Sequence, residues 1–185
     1  MKKKVNYLAE LFKRENKVGS VAPSSRFLVK KMIAPIDFGK AEVIVEFGPG
    51  TGVITTELLK KMKPGALLFI FEINKEFASS LAMIKDHRMK LIEDSAEKIV
   101  EYLEKNGIKY VDYVVSSLPL AIIPREIEYK ILHAAAKALK KGGSFIQFQY
   151  SLASRSKLKE IFHSIKTNFT PINIPPAFVF TCVKG

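Results

Sequence analysis

The sequence predicts an α/β fold: a doubly wound, mostly parallel seven-stranded sheet that ends in an antiparallel C-terminal hairpin. Three observations carry that expectation. From Ala41 onward, apolar strand-like runs alternate with helix-like stretches, the order that builds a parallel sheet covered on both faces. The first of these strands breaks into three closely spaced glycines and then into a helical apolar pattern. The tail, 169–174 and 177–183 about Pro175-Pro176, reads as two strands joined by a rigid turn. In sheets of this kind, ligands bind outside the carboxyl ends of the strands.

Taken in order, the chain opens with a stretch from Lys3 to Lys17 that can form a helix, with Val5, Leu8, Leu11 and Phe12 on one face. Pro23 and the serines after it mark a turn, with Ser24 or Ser25 as N-cap of a second helix ending near Ala34-Pro35. Strands are expected near 43–47, 67–73, 89–93, 110–116 and 144–150. Helices are expected near 52–63, 75–85, 96–106, 125–140 and 154–166. Lys63-Pro64-Gly65, Asn106-Gly107 and Lys141-Gly142-Gly143 punctuate them. The expected organisation is a basic N-terminal helical extension over 1–40 and a ligand-binding domain over 41–185.

Composition narrows the function classes. A chain of 185 residues, 48% of them hydrophobic, suits one folded domain with a full core. No apolar run is long enough to span a bilayer, and the N-terminus lacks the apolar core of a signal peptide. The single cysteine, Cys182, permits no internal disulfide and fits a reducing cytosol. His87, His133 and His163 stand apart from any zinc-like spacing, so no metal site is expected.

Charge is more telling. Of the formal +12, the first forty residues carry +7, from ten basic and three acidic residues. Such asymmetry predicts a polyanionic partner, either an anionic membrane surface or nucleic acid; the alternative is a lysine-rich solvated face. A short basic amphipathic helix is the pattern of a segment lying in a membrane interface. It equally suits a helix laid across the domain to close its pocket.

The glycine turn carries the chemistry. Val43-Ile-Val-Glu46-Phe-Gly48-Pro-Gly50-Thr51-Gly52 lacks the glycine that a dinucleotide fingerprint requires, since position 53 is Val53. It also lacks the Gly-Lys-Ser/Thr of a phosphate-binding loop. Glu46-x-Gly48-x-Gly50-x-Gly52 instead resembles the first motif of class I S-adenosylmethionine methyltransferases, which have a Rossmann-like fold. The second strand ends in Glu72-Ile73, where a carboxylate can accept both hydroxyls of a ribose. The third ends in Glu93-Asp94-Ser95-Ala96, with Asp94, or less favoured Glu93, placed to accept from an adenine amino group. The resemblance thus implies a cofactor site of Glu46, Gly48, Gly50, Thr51, Gly52, Glu72, Ile73, Asp94, Ser95, Ala96 and Ser116.

The fourth strand runs into Ser116-Ser117-Leu118-Pro119-Leu120, where this class brings the methyl acceptor to the sulfonium. Enzymes acting on base amino groups typically carry Asn or Asp, proline and an aromatic residue here, the aromatic stacking on a flipped-out base. Serines and Leu120 replace them, which suits a small, non-aromatic acceptor. Together with residues 18–26, Gln147-Phe148-Gln149-Tyr150 and Asn173-Ile174-Pro175-Pro176-Ala177, this segment resembles the bacterial phospholipid N-methyltransferases. That family methylates phosphatidylethanolamine towards phosphatidylcholine and is thought to dock peripherally on the membrane from the cytoplasm. The resemblance implies a phospholipid substrate, Ser25, Leu118, Pro119 and Arg125 on the acceptor side, and Ser117 and Tyr150 as polar residues able to relay a proton. Arg125 has the alternative reading of a surface charge at a helix start. Tyr150-Ser151 departs from the Tyr-Gly-Pro expected there. The alternatives are an adenine N6-methyltransferase of ribosomal RNA or other nucleic acid, and a non-catalytic or small-molecule-directed homologue. The RNA enzymes, however, carry Asn-Leu-Pro-Tyr at the fourth strand and a further C-terminal domain.

Overall fold

The computed structural model describes residues 26–173 and 175–185. The expected N-terminal amphipathic helix, and Ser25 with it, lie outside the described residues. Helices α1 (Arg26–Ile33), α2 (Val53–Lys61), α3 (Lys75–Leu81), α4 (Ile99–Lys105), α5 (Arg125–Ala138) and α6 (Arg155–Ile161) accompany seven strands. The strands are β1 (Val43–Phe47), β2 (Leu67–Phe71), β3 (Met89–Ile92), β4 (Val111–Ser116), β5 (Leu139–Gln149), β6 (Ser164–Thr170) and β7 (Ala177–Val183). They form one sheet in the order β3-β2-β1-β4-β5-β7-β6, parallel except for β7, which runs antiparallel to both its neighbours. The doubly wound sheet and its antiparallel hairpin are as the sequence predicts.

The pleat sorts the apolar residues into two cores. Val45, Phe47, Phe69, Phe71 and Val114 face the layer of α4, α5 and α6. Their alternates Ile44, Leu68, Ile70 and Val115 face α1, α2 and α3. Both faces are buried, so β2 reads as an unbroken apolar run in the sequence and β1 as one interrupted only by Glu46. Leu28, Val29, Met32, Ile33 and Ile36 sit in the second core, so residues 26–36 pack as a layer of the domain.

Three boundaries differ most from expectation. The helix expected over 154–166 stops at Ile161, and the strand expected over 169–174 instead runs Ser164–Thr170, with 171–173 in the turn before β7. Every residue of β6 has a partner on β7, from Ser164 opposite Val183 to Thr170 opposite Ala177. That continuous ladder, favoured by the β-branched Ile165, Thr167 and Thr170, overrides a helical continuation. β5 begins at Leu139 rather than 144, because the two steps from Val111 to Tyr113 on β4 face five steps from Leu139 to Ser144 on β5. Gly142, at φ 75°, takes up this bulge, which a reading of local sequence sees as a turn.

Register places the site. Phe47 lies opposite both Phe71 and Ser116, and Phe71 lies opposite Ile92. Four parallel strands therefore end level, and the residues after them share one edge of the sheet. No helix among the described residues is long and apolar enough to cross a membrane.

Candidate functional site

The ladder extends one step past the strand ends. The Gly48 N–H donates to the Phe71 carbonyl (3.0 Å), Glu72 N–H to Ile92 (3.0 Å) and Ser117 N–H to Phe47 (2.9 Å). These bonds hold Gly48, Glu72 and Ser117 side by side at the sheet edge. Gly48, Gly50 and Gly52 adopt φ of 63°, 55° and 78°, a region that L side chains rarely occupy. A Cβ on Gly48 would lie 2.8 Å from Leu118 Cδ2, and one on Gly52 would lie 2.9 Å from Leu81 Cδ2. At Gly50 a Cβ would meet nothing within 4 Å. The outer two glycines are required by packing, whereas Gly50 bares its backbone to open space.

Gly48, Glu72, Ile73, Asp94, Ser95, Ala96 and Leu118 line one cleft with Phe71, Ile123 and Ile131. It is a shallow cleft, partly open to solvent. Glu72 is buried; its Oε2 accepts from Gly50 N–H (3.2 Å) and its Oε1 from Asn74 N–H (2.8 Å). Burial raises its pKa, and the N–H groups of Asn74, Gly50 and Ile73 partly offset this. Asn74 in turn caps α3 through Glu76 N–H (2.9 Å), which fixes the strand end.

Asp94 is ionised more readily. Burial acts to raise its carboxyl, but the Lys98 ammonium (2.6 Å), Ser95 N–H (2.7 Å) and Tyr102 hydroxyl (3.0 Å) hold it below the usual carboxylate range. Three donors leave a carboxylate room to accept one more. Lys98 and Tyr102 were not anticipated, although their spacing of four and eight residues from Asp94 is a helical signal. Ser95 caps the short 3-10 turn Ala96–Lys98 that presents Asp94 to the cleft.

Glu46 lies outside the cleft lining. Its side chain turns to the α2 face, where Oε2 accepts from the Thr55 hydroxyl (2.6 Å) and Oε1 has no hydrogen-bond partner. Burial, then the nearby Glu72 charge, raise its pKa to about 8 against the opposing Thr55 bond. Thr51 is exposed, and Ser116 is buried with its Oγ accepting from Leu118 N–H (3.3 Å).

On the acceptor side, Leu118 borders the cleft, while Leu120 is fully buried in the core with Ile123 and Ile127. Leu118, not Leu120, is thus the apolar wall. The Leu118 carbonyl accepts from the side-chain amides of Gln147 and Gln149, each at 2.9 Å. That clamp is a second feature not anticipated; its sequence trace is Gln-x-Gln on one face of a buried strand. Pro119 is half-buried beside it. Neither Ser117 nor Tyr150 lines the cleft; Ser117 is partly buried, and Tyr150 is half-exposed, its ring 5.6 Å from Phe148. Arg125 is exposed at the start of α5 and lies over the Tyr129 ring, 5.6 Å from its centroid. Among the described residues, no cluster of three or more His, Cys, Asp or Glu is arranged to hold a metal.

A bare glycine turn beside a buried carboxylate, with a second carboxylate on the next strand end, fits S-adenosylmethionine. The fold and this cleft define a class I S-adenosylmethionine-dependent methyltransferase. The chain belongs to the methyltransferase small domain family, which matches residues 17–170. It is 28% identical over 179 residues to an ornithine lipid N-methyltransferase of Singulisphaera acidiphila, covering 95% of this chain and 93% of that one. It is 26% identical over 138 residues to the ribosomal RNA small subunit methyltransferase A of Thermotoga petrophila, covering 72% of this chain and 50% of that one. Its fold resembles the O-methyltransferase TomG of Streptomyces achromogenes, solved with S-adenosylmethionine, at a TM-score of 0.69 and 18% identity. That alignment covers 98% of this chain and 90% of that one.

Proposed function

We propose that this enzyme methylates the head-group amine of a membrane lipid, with phosphatidylethanolamine, converted towards phosphatidylcholine, as the favoured acceptor. The observation that carries this reading is the end-to-end similarity to an enzyme named for a lipid amine, over 95% of one chain and 93% of the other. The similarity to a ribosomal RNA methyltransferase stops at half of that protein. An acceptor segment without an aromatic side chain agrees, since Leu120 stands where base-methylating enzymes carry the ring on which a base stacks.

S-adenosylmethionine supplies an electrophilic methyl group on a sulfonium. The chain's own residues position the partners. Gly48 and Gly50 give bare backbone to the cofactor, Glu72 accepts from its ribose and Asp94 takes its adenine amine. Ile73, Ser95 and Ala96 wall the cleft, while Thr51, Gly52, Glu46 and Ser116 hold the loops that carry these groups. A lipid ammonium must lose a proton before its nitrogen can attack, and Ser117 and Tyr150, which follow the ends of β4 and β5, relay it. Leu118 and Pro119 exclude water beside the amine, Ser25 serves the same side, and Arg125 pairs with the lipid phosphate.

The basic N-terminal forty residues bring the protein to an anionic membrane surface, on its cytoplasmic side, as a peripheral enzyme. Nucleic-acid methylation is the alternative, favoured by the same charge and by the ribosomal RNA relative. Expression in a bacterium that makes phosphatidylethanolamine but no phosphatidylcholine tests the reading. Mass spectrometry of its lipids should find mono-, di- or trimethylated phosphatidylethanolamine. Methylation confined to an ornithine lipid supplied in parallel would move the acceptor to that lipid, and unmodified lipids with newly methylated RNA would reject the proposal.

A further inference from the structure

The loops around the acceptor side of the cleft have an unusual composition. Residues 117–124 follow β4, 150–154 follow β5, and 171–176 follow β6. These nineteen residues contain no charged side chain, in a chain that is 26% charged. At the average composition, about five would be charged. The loops at the opposite edge are ordinary, carrying Lys40, Glu42, Lys63, Lys85, Asp86, Arg88 and Lys109.

All three uncharged loops lie on one edge. β6 and β5 both pair antiparallel with β7, so they run in the same direction, and their carboxyl ends lie at the same edge as that of β4. Gln149 lies opposite Phe178, and Phe178 opposite Phe169, so the outer strands also end nearly level. Ile122, Tyr150, Leu152, Phe169 and Ile172 sit on or beside these loops and are each between 41% and 62% exposed. Soluble surfaces rarely gather large apolar side chains in one place, and a rimmed patch of this kind marks an interaction surface.

The rim is cationic. Arg125 and Arg155 open the helices that leave the first two loops, and Arg26 and Lys30 stand on α1. Lys31 of that helix donates to the Phe169 carbonyl (2.6 Å), which brings α1 against the end of β6. An uncharged, partly aromatic centre edged by cations matches the layering of an anionic bilayer, with hydrocarbon below and phosphates around it.

We infer that these three loops are a bilayer-contacting surface, seated on anionic lipid so that the acceptor side of the cleft opens into the head-group layer. The inference rests on the lipid reading for its occupant, and it is independent of the basic segment before residue 26. The carboxylates Glu72 and Asp94 belong to the β1–β3 half of the edge. The bilayer therefore meets the acceptor half and leaves the polar half to water.

The full chain contains no tryptophan, so a single introduced one reports its own surroundings. Leu152→Trp and Ile172→Trp place it on the surface. Met83→Trp places it at a position 74% exposed in the turn between α3 and β3, at the opposite edge. With vesicles of phosphatidylglycerol and phosphatidylethanolamine, emission from the first two variants should shift to the blue and be lost when the acyl chains are brominated. The Met83→Trp emission should do neither. The inference is overturned if positions 152 and 172 stay unchanged while the protein sediments with vesicles, or if no vesicle binds. It is equally overturned if all three positions respond alike, or if positions 152 and 172 are already shielded without lipid, by this chain's own N-terminal residues or by a second copy. Methyl transfer measured in the same vesicles separates this from the proposed function. With ornithine lipid added to the same vesicles, quenching without label in either amine lipid would reject the lipid-amine reading and leave the contact standing. Label in lipid with unchanged emission from the Leu152→Trp and Ile172→Trp variants would do the reverse.

Discussion

Glu46 should make the protein less stable as pH rises through neutrality. The carboxyl is fully buried, one of its oxygens lacks a partner, and its pKa rises from 4.5 to about 8. The folded protein therefore keeps a proton that the unfolded chain releases above about pH 4.5. Its contribution is fully present below that value and is lost as pH climbs towards 8. At about 1.4 kcal/mol per pH unit, the loss is on the order of 5 kcal/mol, an upper bound because a relaxing interior or an entering water would reduce it. Glu72 is displaced in the same direction and adds to the slope. Asp86, Asp94 and Asp112 are displaced downward, so their contributions vanish only in acid, outside this window. Urea unfolding at pH 5 and pH 8.5 measures the effect. Wild type should lose several kcal/mol between the two, and Glu46→Gln, which carries no titrating proton, should lose much less. A wild-type midpoint unchanged across this range, or a Glu46→Gln slope equal to the wild-type slope, would refute the reasoning.

Other substitutions probe the cleft. Glu72→Ala should weaken S-adenosylmethionine binding by about 1.5–3 kcal/mol through loss of a charge-assisted hydrogen bond, and Gly50→Val should nearly abolish it; calorimetry reads both. Gly48→Ala forces a left-handed residue and a 2.8 Å approach to Leu118. It should cost about 1–2 kcal/mol of stability in urea and raise the cofactor Kd. Gln149→Leu removes one of two amides from the Leu118 carbonyl. It should raise the acceptor KM while leaving cofactor affinity near wild type, as steady-state kinetics and calorimetry would register.

Much of the geometry of the candidate cleft was legible because its cause is local. A β-branched run must become a doubly buried strand, and glycines at 48, 50 and 52 permit a turn that other residues resist. The apolar strands then bring Glu72 and Asp94 to one level through register alone. What escaped the sequence depends on tertiary pairing. Ile161, Phe162 and Ile165 have spacing that suits a helix, and only the ladder with β7 makes Ser164–Thr170 a strand. Leu118 stands at the cleft, on the side expected from the sequence, but the burial of Leu120, at the position of an aromatic residue in related enzymes, follows from packing that local sequence does not show. The Gln147 and Gln149 clamp depends on a contact between residues about thirty positions apart, which local pattern does not reveal.

A competition in one tube tests the nature of the methyl acceptor most directly. Purified enzyme is given S-adenosylmethionine with a labelled methyl group, vesicles containing phosphatidylethanolamine and ornithine lipid, and an equal mass of undermethylated ribosomal RNA. After extraction, label should partition into the lipid phase on head-group nitrogen and be absent from RNA. Label recovered in adenine of the RNA, with both lipids blank, would contradict the account.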